Sequence, residues 1–244
     1  MSGSLPTPIA ENSGAPERLI LPMGHYVGAR RTSADAGPEF HLVRVGWEIY
    51  RLDGTDQLTM WALAHGMPGG NDMAPWTRAV VEGAARLVGI PDAVAILDDL
   101  MRRELVVEIT PGTARAVEFA QVCRTRSLLT GLGNSADEPL LYEIGLAGAK
   151  PAATVSGFAF ELWKWAHTCD SLWHACQILA RTGRALSPEN PDQTDPERVL
   201  SRCLAAIQVL IAQGVVYLDE AREQWDQDET AQVEESYSVA TTSG

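Results

Sequence analysis

The chain of 244 residues is short of cysteine and lysine and has no long apolar run. Each shortage excludes something. Four cysteines (Cys123, Cys169, Cys176 and Cys203) are too few and too unevenly spaced for a disulfide scaffold. Reduced, mostly buried thiols in a cytosolic chain are expected instead. No apolar stretch approaches the roughly 18 residues that span a bilayer, so no membrane association is expected. The opening "MSGSLPTPIAENSGAPE" has neither a basic nor an apolar segment of the signal-peptide kind, which makes the cytoplasm the expected location. Lysine occurs twice against seventeen arginines, a bias ascribed to codon usage rather than to function.

Positive charge is also scarce. The net charge is −13, and from Asp219 onward eight acids face Arg222 alone, leaving −7 in the tail and −6 for residues 1 to 218. Readers of nucleic acid usually carry a basic face, because neutralising phosphates supplies most of their affinity. Duplex binding is therefore disfavoured by charge. The motifs of common chemistries are missing as well. Gly-x-Ser-x-Gly, His-Glu-x-x-His, paired carboxylates and a Lys-bearing phosphate loop do not occur. "GLGNS" (Gly131 to Ser135) and "GLAG" (Gly145 to Gly148) read as a helix stop and a hairpin turn, and Glu143 and Glu161 as single solvated acids. With no nucleophile–base pair in view, neither an enzyme nor a cofactor is expected.

What is there is a pattern written twice. "MWALAHG" (Met60 to Gly66) is answered by "LWKWAHT" (Leu162 to Thr168). In the first unit, "FHLVRVG" and "EIYRL" alternate as strands of a hairpin. Three helices follow: one from Gln57 to Gly66, one from Trp76 to Gly89, and one opened by Pro91 with Val94, Leu97, Leu100 and Met101 as its stripe. "LVVEIT" closes the unit as a strand. In the second unit "LYEIGLAG" and "AATVSG" form the hairpin. Helices follow in "AFELWKWAHT", "SLWHACQILARTG" and "DPERVLSRCLAAIQVLIAQG", the last capped by Asp195, and "VVYLDE" closes. Leu97, Leu100 and Leu105 match Ile207, Leu210 and Val215 at a constant offset of 110, whereas Trp61 and Trp163 are 102 apart. The tryptophans are expected at the same core position of two copies of one small fold, with His65 and His167 capping the first helices.

The expected class is thus α+β, mostly helical, as two tandem winged-helix units joined by a linker helix. The boundaries expected are a disordered arm over 1–17, unit one over 18–110, the linker helix over 111–139, unit two over 140–220, and an acidic disordered tail over 221–244. Val117, Ala120, Cys123 and Ser127 are expected on one face of the linker helix. Within the winged-helix class, "EIYRLDGTDQLTMWALAHG" with "LMRRELV", and "FELWKWAHTCDSLWHA" with "LIAQGVV", resemble the PqqD-like family. That family binds the leader segment of precursor peptides for modifying enzymes, its domains usually stand alone, and they are under half this length. The resemblance implies a peptide added as a strand to a hairpin edge and lying against a third helix. The edge would be "FHLVRVG" or "LYEIGLAG", giving Leu42, Arg44, Leu97, Leu100, Met101, Val209 and Leu210 as binding residues. The same third-helix residues equally suit packing of the two units against each other.

Other candidates are weaker. A winged-helix DNA reader needs polar or basic residues on its third helix. The first third helix carries Asp98, Asp99 and Glu104 against Arg102 and Arg103, and the second carries no charge. Cys169, Cys176, His167 and His174 are zinc-type residues whose spacing puts His174 off the cysteine face, so no metal is expected. Arg115, Arg124 and Arg126, with Arg30 and Arg31, are the one basic concentration and are candidates for contact with an acidic partner. The function expected is a non-catalytic adaptor for a peptide or protein partner. A winged-helix transcription regulator is the alternative, and a subunit whose active site lies on another chain is a third reading.

Overall fold

The computed structural model describes residues 17–31, 40–67 and 75–222. The expected arm over 1–17 and acidic tail over 221–244 lie almost wholly outside the described residues. The described chain is α+β, with its strands gathered in four small antiparallel sheets. Strand β1 (Leu19–Pro22) pairs with β5 (Val106–Ile109), Leu19 opposite Ile109. Between them in sequence run a meander of β2 (His25–Arg30), β3 (Phe40–Val45) and β4 (Glu48–Asp53), then helices α1 (Gly54–Leu63), α2 (Arg78–Leu87) and α3 (Ala93–Arg102). Helix α4 (Ala114–Val122) follows. Strand β6 (Cys123–Ser127) then pairs with β10 (Val216–Glu220). Between these two run a second meander, β7 (Thr130–Gly133), β8 (Leu141–Gly145) and β9 (Ala153–Ser156), and helices α5 (Gly157–Trp165), α6 (Leu172–Leu186), the short α7 (Pro191–Thr194) and α8 (Pro196–Ala212).

Local chemistry explains most of these elements. In β3 the period-two pattern buries His41, Val43 and Val45 and leaves Phe40, Leu42 and Arg44 half-buried on the other face. Ser156, Ser171 and Asp195 accept from the backbone at the starts of α5, α6 and α8, satisfying N–H groups that a helix start leaves unpaired. Pro196 at the first turn of α8 adds a preset φ and forfeits no helical bond. The linker helix is shorter than its expected span. It ends at Val122, and Cys123, Thr125 and their neighbours continue as β6. Cys123 and Thr125 are buried while Arg124 and Arg126 are half-exposed, a two-residue alternation that the helical spacing of Val117, Ala120 and Cys123 had masked. Gly131 to Gly133 of "GLGN" accordingly belong to β7 rather than to a helix stop.

The two tryptophans of the recurring motif perform one task. Trp61 Nε1 donates to the Met23 carbonyl at 3.1 Å, just past β1, while Met23 N donates to the Leu105 carbonyl at 2.9 Å. Trp163 Nε1 donates to the Leu128 carbonyl at 3.1 Å, just past β6, while Leu128 N donates to the Val215 carbonyl at 2.8 Å. His65 does cap α1: its Nδ1 lies 2.9 Å from the Trp61 carbonyl and its ring meets the Trp61 indole edge-on at 4.3 Å. Burial lowers its pKa, so it serves there as a neutral donor rather than a cation. One apolar core runs through the described chain without a break, from Leu21, Leu52 and Leu97 past Phe119 and Cys123 to Leu172 and Leu204. Each fully buried aliphatic side chain contributes about 1.5–3 kcal/mol.

Two outcomes follow. A Cβ on Gly183 would overlap the Gln193 carbonyl oxygen, a backbone atom that cannot swing away. Gly183→Ala is expected to cost about 1–3 kcal/mol, read as a lower urea midpoint. The second concerns His65. Because its folded pKa lies below the ordinary 6.5, its share of stability is whole above pH 6.5 and declines as pH falls through 6.5 toward the lowered folded value. Thermal melts across pH 5 to 8 are expected to show this decline in the parent chain, and a weaker one in His65→Asn.

Candidate functional site

The expected groove residues divide sharply. Leu97, Leu100 and Leu210 are fully buried in the core. A peptide cannot reach them, because α3 and α8 use that stripe for folding. Met101 and Val209 are half-buried, and the Met101 sulfur sits 3.9 Å from Arg78 Nη1. Helix α8 does pack the two halves of the chain together. Gln208 Nε2 donates to the carbonyls of Ile20 at 2.9 Å and Trp76 at 2.7 Å, and its Oε1 accepts from Trp76 N at 3.1 Å. The side-chain amide of α8 thus brackets backbone at β1 and just before α2.

The expected edge is also corrected. Strand β3 lies between β2 and β4, and β8 lies between β7 and β9, so neither "FHLVRVG" nor "LYEIGLAG" is an edge. Leu42 and Arg44 sit on a central strand. The edges of the first meander are β2 and β4. The far end of β4 is already bonded by side chains: Arg103 Nη2 donates to the Arg51 carbonyl, and Asp53 N donates to Gln57 Oε1 at 2.7 Å. Such bonds blunt an edge against a further strand.

Arg44 instead reaches across to β10. Its Nη1 donates to the Gly46 carbonyl at 2.7 Å and lies 3.4 Å from Asp219 Oδ2, while Nη2 donates to the Tyr217 hydroxyl at 3.0 Å. Asp219 is 1% exposed, and its Oδ1 accepts from Gly46 N at 2.6 Å. Arg124 is the cross-strand neighbour of Asp219, and Arg126 follows two residues on. Three of the residues singled out from sequence, Arg44, Arg124 and Arg126, therefore meet around one buried carboxylate. Arg115 does not join them; it stands on the first turn of α4.

Beside α4 lies a groove of about 600 Å³. Val45 and Tyr50 of the first meander line one side, and Phe119 and Val122 of α4 the other, with Glu104 and Arg115 among the polar walls. Val122 is an apolar residue left 67% exposed. Burial, then the nearby Glu48, Glu220 and Glu104, raise the Tyr50 pKa, so the phenol remains a hydrogen-bond donor. Sequence reasoning missed Tyr50 and Val122. The available signal was an aliphatic residue off the expected buried face of the linker helix.

The zinc-type residues do not converge. Cys169 and Cys176 are buried and His174 is exposed on α6. Burial, then Asp170 and Cys176, push the Cys169 thiol up to about 11, which keeps it protonated. Among the described residues no three His, Cys, Asp or Glu side chains gather at metal-binding distance. No helix of the described residues is long and apolar enough to cross a membrane. No protein-family model, no curated protein and no solved structure matches this chain.

Removing the buried charge at the junction tests its weight. Asp219→Asn is expected to cost about 3 kcal/mol, because it leaves the guanidinium groups beside it uncompensated. Chemical denaturation of the parent and the variant measures this.

Proposed function

We propose that the chain is a cytoplasmic, non-catalytic adaptor of two tandem winged-helix units, holding a peptide or protein partner in the groove beside α4. The recurrence of one hydrogen-bond set supports the duplication. In each half the indole of the first helix donates to the carbonyl of the residue just after the first strand, and the amide of that same residue donates to the carbonyl just before the closing strand. Each first strand also pairs with the strand that follows the third long helix.

The observation that carries the peptide reading is the groove itself. Its lining mixes apolar side chains such as Val45 and Phe119 with Glu104 and Arg115, its volume lies within the range of ligand sites, and the aliphatic Val122 is exposed beside it. The resemblance to PqqD-like domains makes a precursor-peptide leader the natural occupant. The outer face of α3 gives little to a duplex. Asp98 pairs with Arg78, and Asp99 pairs with Arg102 and Arg103, so the two cations of that face are already engaged.

A random ten-residue peptide library panned over the immobilised full chain is expected to enrich sequences with paired apolar side chains. Val122→Asp, an exposed change outside the core, is expected to weaken the enriched peptides at least about tenfold. No enrichment, together with salt-dependent binding of duplex DNA, overturns the reading in favour of a transcription regulator.

A further inference from the structure

A second cavity, of about 650 Å³, adjoins the groove at Glu220, Ala221 and Arg222. Four arginines line it: Arg44 from β3, Arg124 and Arg126 from β6, and Arg222 just past β10. They face the carboxylates of Asp219 and Glu220, in a chain whose net charge is −13. Cations are rare here, and this cavity gathers four of them from three separate segments.

The four are not equally satisfied. Arg44 is bonded to Gly46, Tyr217 and Asp219, and Arg222 pairs with Asp170 at 3.4 Å. Arg124 is different. Its Nε and Nη1 are shielded from water and have no hydrogen-bond partner. Its cross-strand neighbour Asp219 spends one oxygen on Gly46 N and turns the other toward Arg44. Neither Arg124 nor Arg126 makes an ion pair among the described residues. Burial, then the positive charge of Arg126, lower the Arg124 pKa, and the Asp219 carboxylate that Arg44 already engages offsets this only in part. A guanidinium group shares its charge over three nitrogens and stays ionised. An anion entering the cavity would meet a charge already stripped of water on one side, and so lose less on binding than it would at a solvated arginine.

The rim carries a further signal. Trp47, at the β3–β4 turn, lines the same cavity and is 95% exposed. Tryptophan and arginine together are the residue types that dominate binding energy at protein interfaces.

We propose that this four-arginine cavity binds the carboxylates of an acidic peptide segment, with Trp47 packing against its backbone. The proposal rests on the peptide-binding reading and adds to it the charge of the ligand: apolar side chains enter the groove beside α4, and acidic ones enter the adjoining cavity. Such a segment has two sources, another polypeptide or residues 223–244 of this chain, which hold six acids and no lysine or arginine. The chemistry of the site is the same for both.

The test uses the full chain and a fluorescein-labelled ten-residue peptide of alternating Glu and Ala, read by anisotropy in low salt. This probe has no large apolar side chain, so failure of the neighbouring groove leaves its binding unaffected, and Val122→Ser, which removes the apolar contact without adding charge beside Arg222, serves as that check. The parent chain is expected to bind it at least about tenfold more tightly than the Gln–Ala counterpart. Arg124→Gln and Arg126→Gln are each expected to abolish that preference. Arg184→Gln, which removes the same charge from the exposed end of α6, is expected to keep it. The melting temperature of Arg124→Gln is expected to equal or exceed that of the parent, whereas a purely structural arginine would show a fall. If Arg124→Gln does not fold, Arg126→Gln decides alone. Changing Glu223, Asp226, Asp228 and Glu229 to their amides separates the sources. Tighter probe binding identifies the chain's own tail as the resident ligand, and unchanged binding assigns the site to another polypeptide. Equal binding of the Glu and Gln probes overturns the proposal. So does equal weakening by Arg184→Gln, or an oligonucleotide that binds in an Arg124-dependent way more tightly than the acidic probe.

Discussion

The corner at Met23 and Gly24 is the constraint on which the rest of the molecule depends. Met23 N bonds to the Leu105 carbonyl, its own carbonyl accepts from the Trp61 indole, and Gly24 N donates to the Leu218 carbonyl at 2.7 Å. Three successive polar groups thus tie β1 to the end of α3, to α1 and to β10. The backbone can turn there because residue 24 is glycine. Its φ is +88°, and a Cβ would lie 2.6 Å from the Arg44 carbonyl oxygen. Strand β3 comes that close only because the corner has no side chain, and that approach carries Arg44 to Tyr217 and Asp219.

The same corner decides which surfaces remain available. With α8 bracketed onto β1 by Gln208, and the leucine stripes of α3 and α8 in the core, the third helices are structural members. The faces left open lie where the first meander, α4 and the end of β10 come together. There the chain exposes Val122 and Trp47 and concentrates four arginines. Apolar and cationic surfaces adjoin at that junction because three segments distant in sequence meet there, the first meander and the α4–β6 segment each supplying both kinds of side chain.

What was legible in the sequence was what is local. The cap at Asp195, the alternation of β3 and the recurrence of Trp61 and Trp163 all depend on neighbours within a few residues, and each was read from the chain directly. Strands β1, β2, β6 and β7 were not read. β1 has as its partner β5, some ninety residues on, and β6 has β10 at a similar remove. A strand of four to six residues has too little pattern of its own to be told from a loop or a helix end without its partner. The site was legible in part for the same reason. Arg124 and Arg126 were visible as scarce cations and Arg44 as a residue of the expected hairpin edge, but their meeting depends on β3 and β6 both reaching β10. Leu97, Leu100 and Leu210 were visible as a stripe, and a stripe does not say whether it faces a ligand or another helix.

The bracket made by Gln208 also bears on how the chain comes to exist. Its amide satisfies backbone groups at Ile20, 188 residues earlier. On a ribosome that delivers the chain from its beginning, the first strand and Trp76 emerge long before the helix that completes their hydrogen bonding. The first half must wait, incompletely bonded, through the synthesis of the whole second half. Contacts of such long sequence separation slow folding and lengthen the exposure of unpaired strands. The interval during synthesis, rather than the finished fold, is therefore where this protein is most exposed to misassembly.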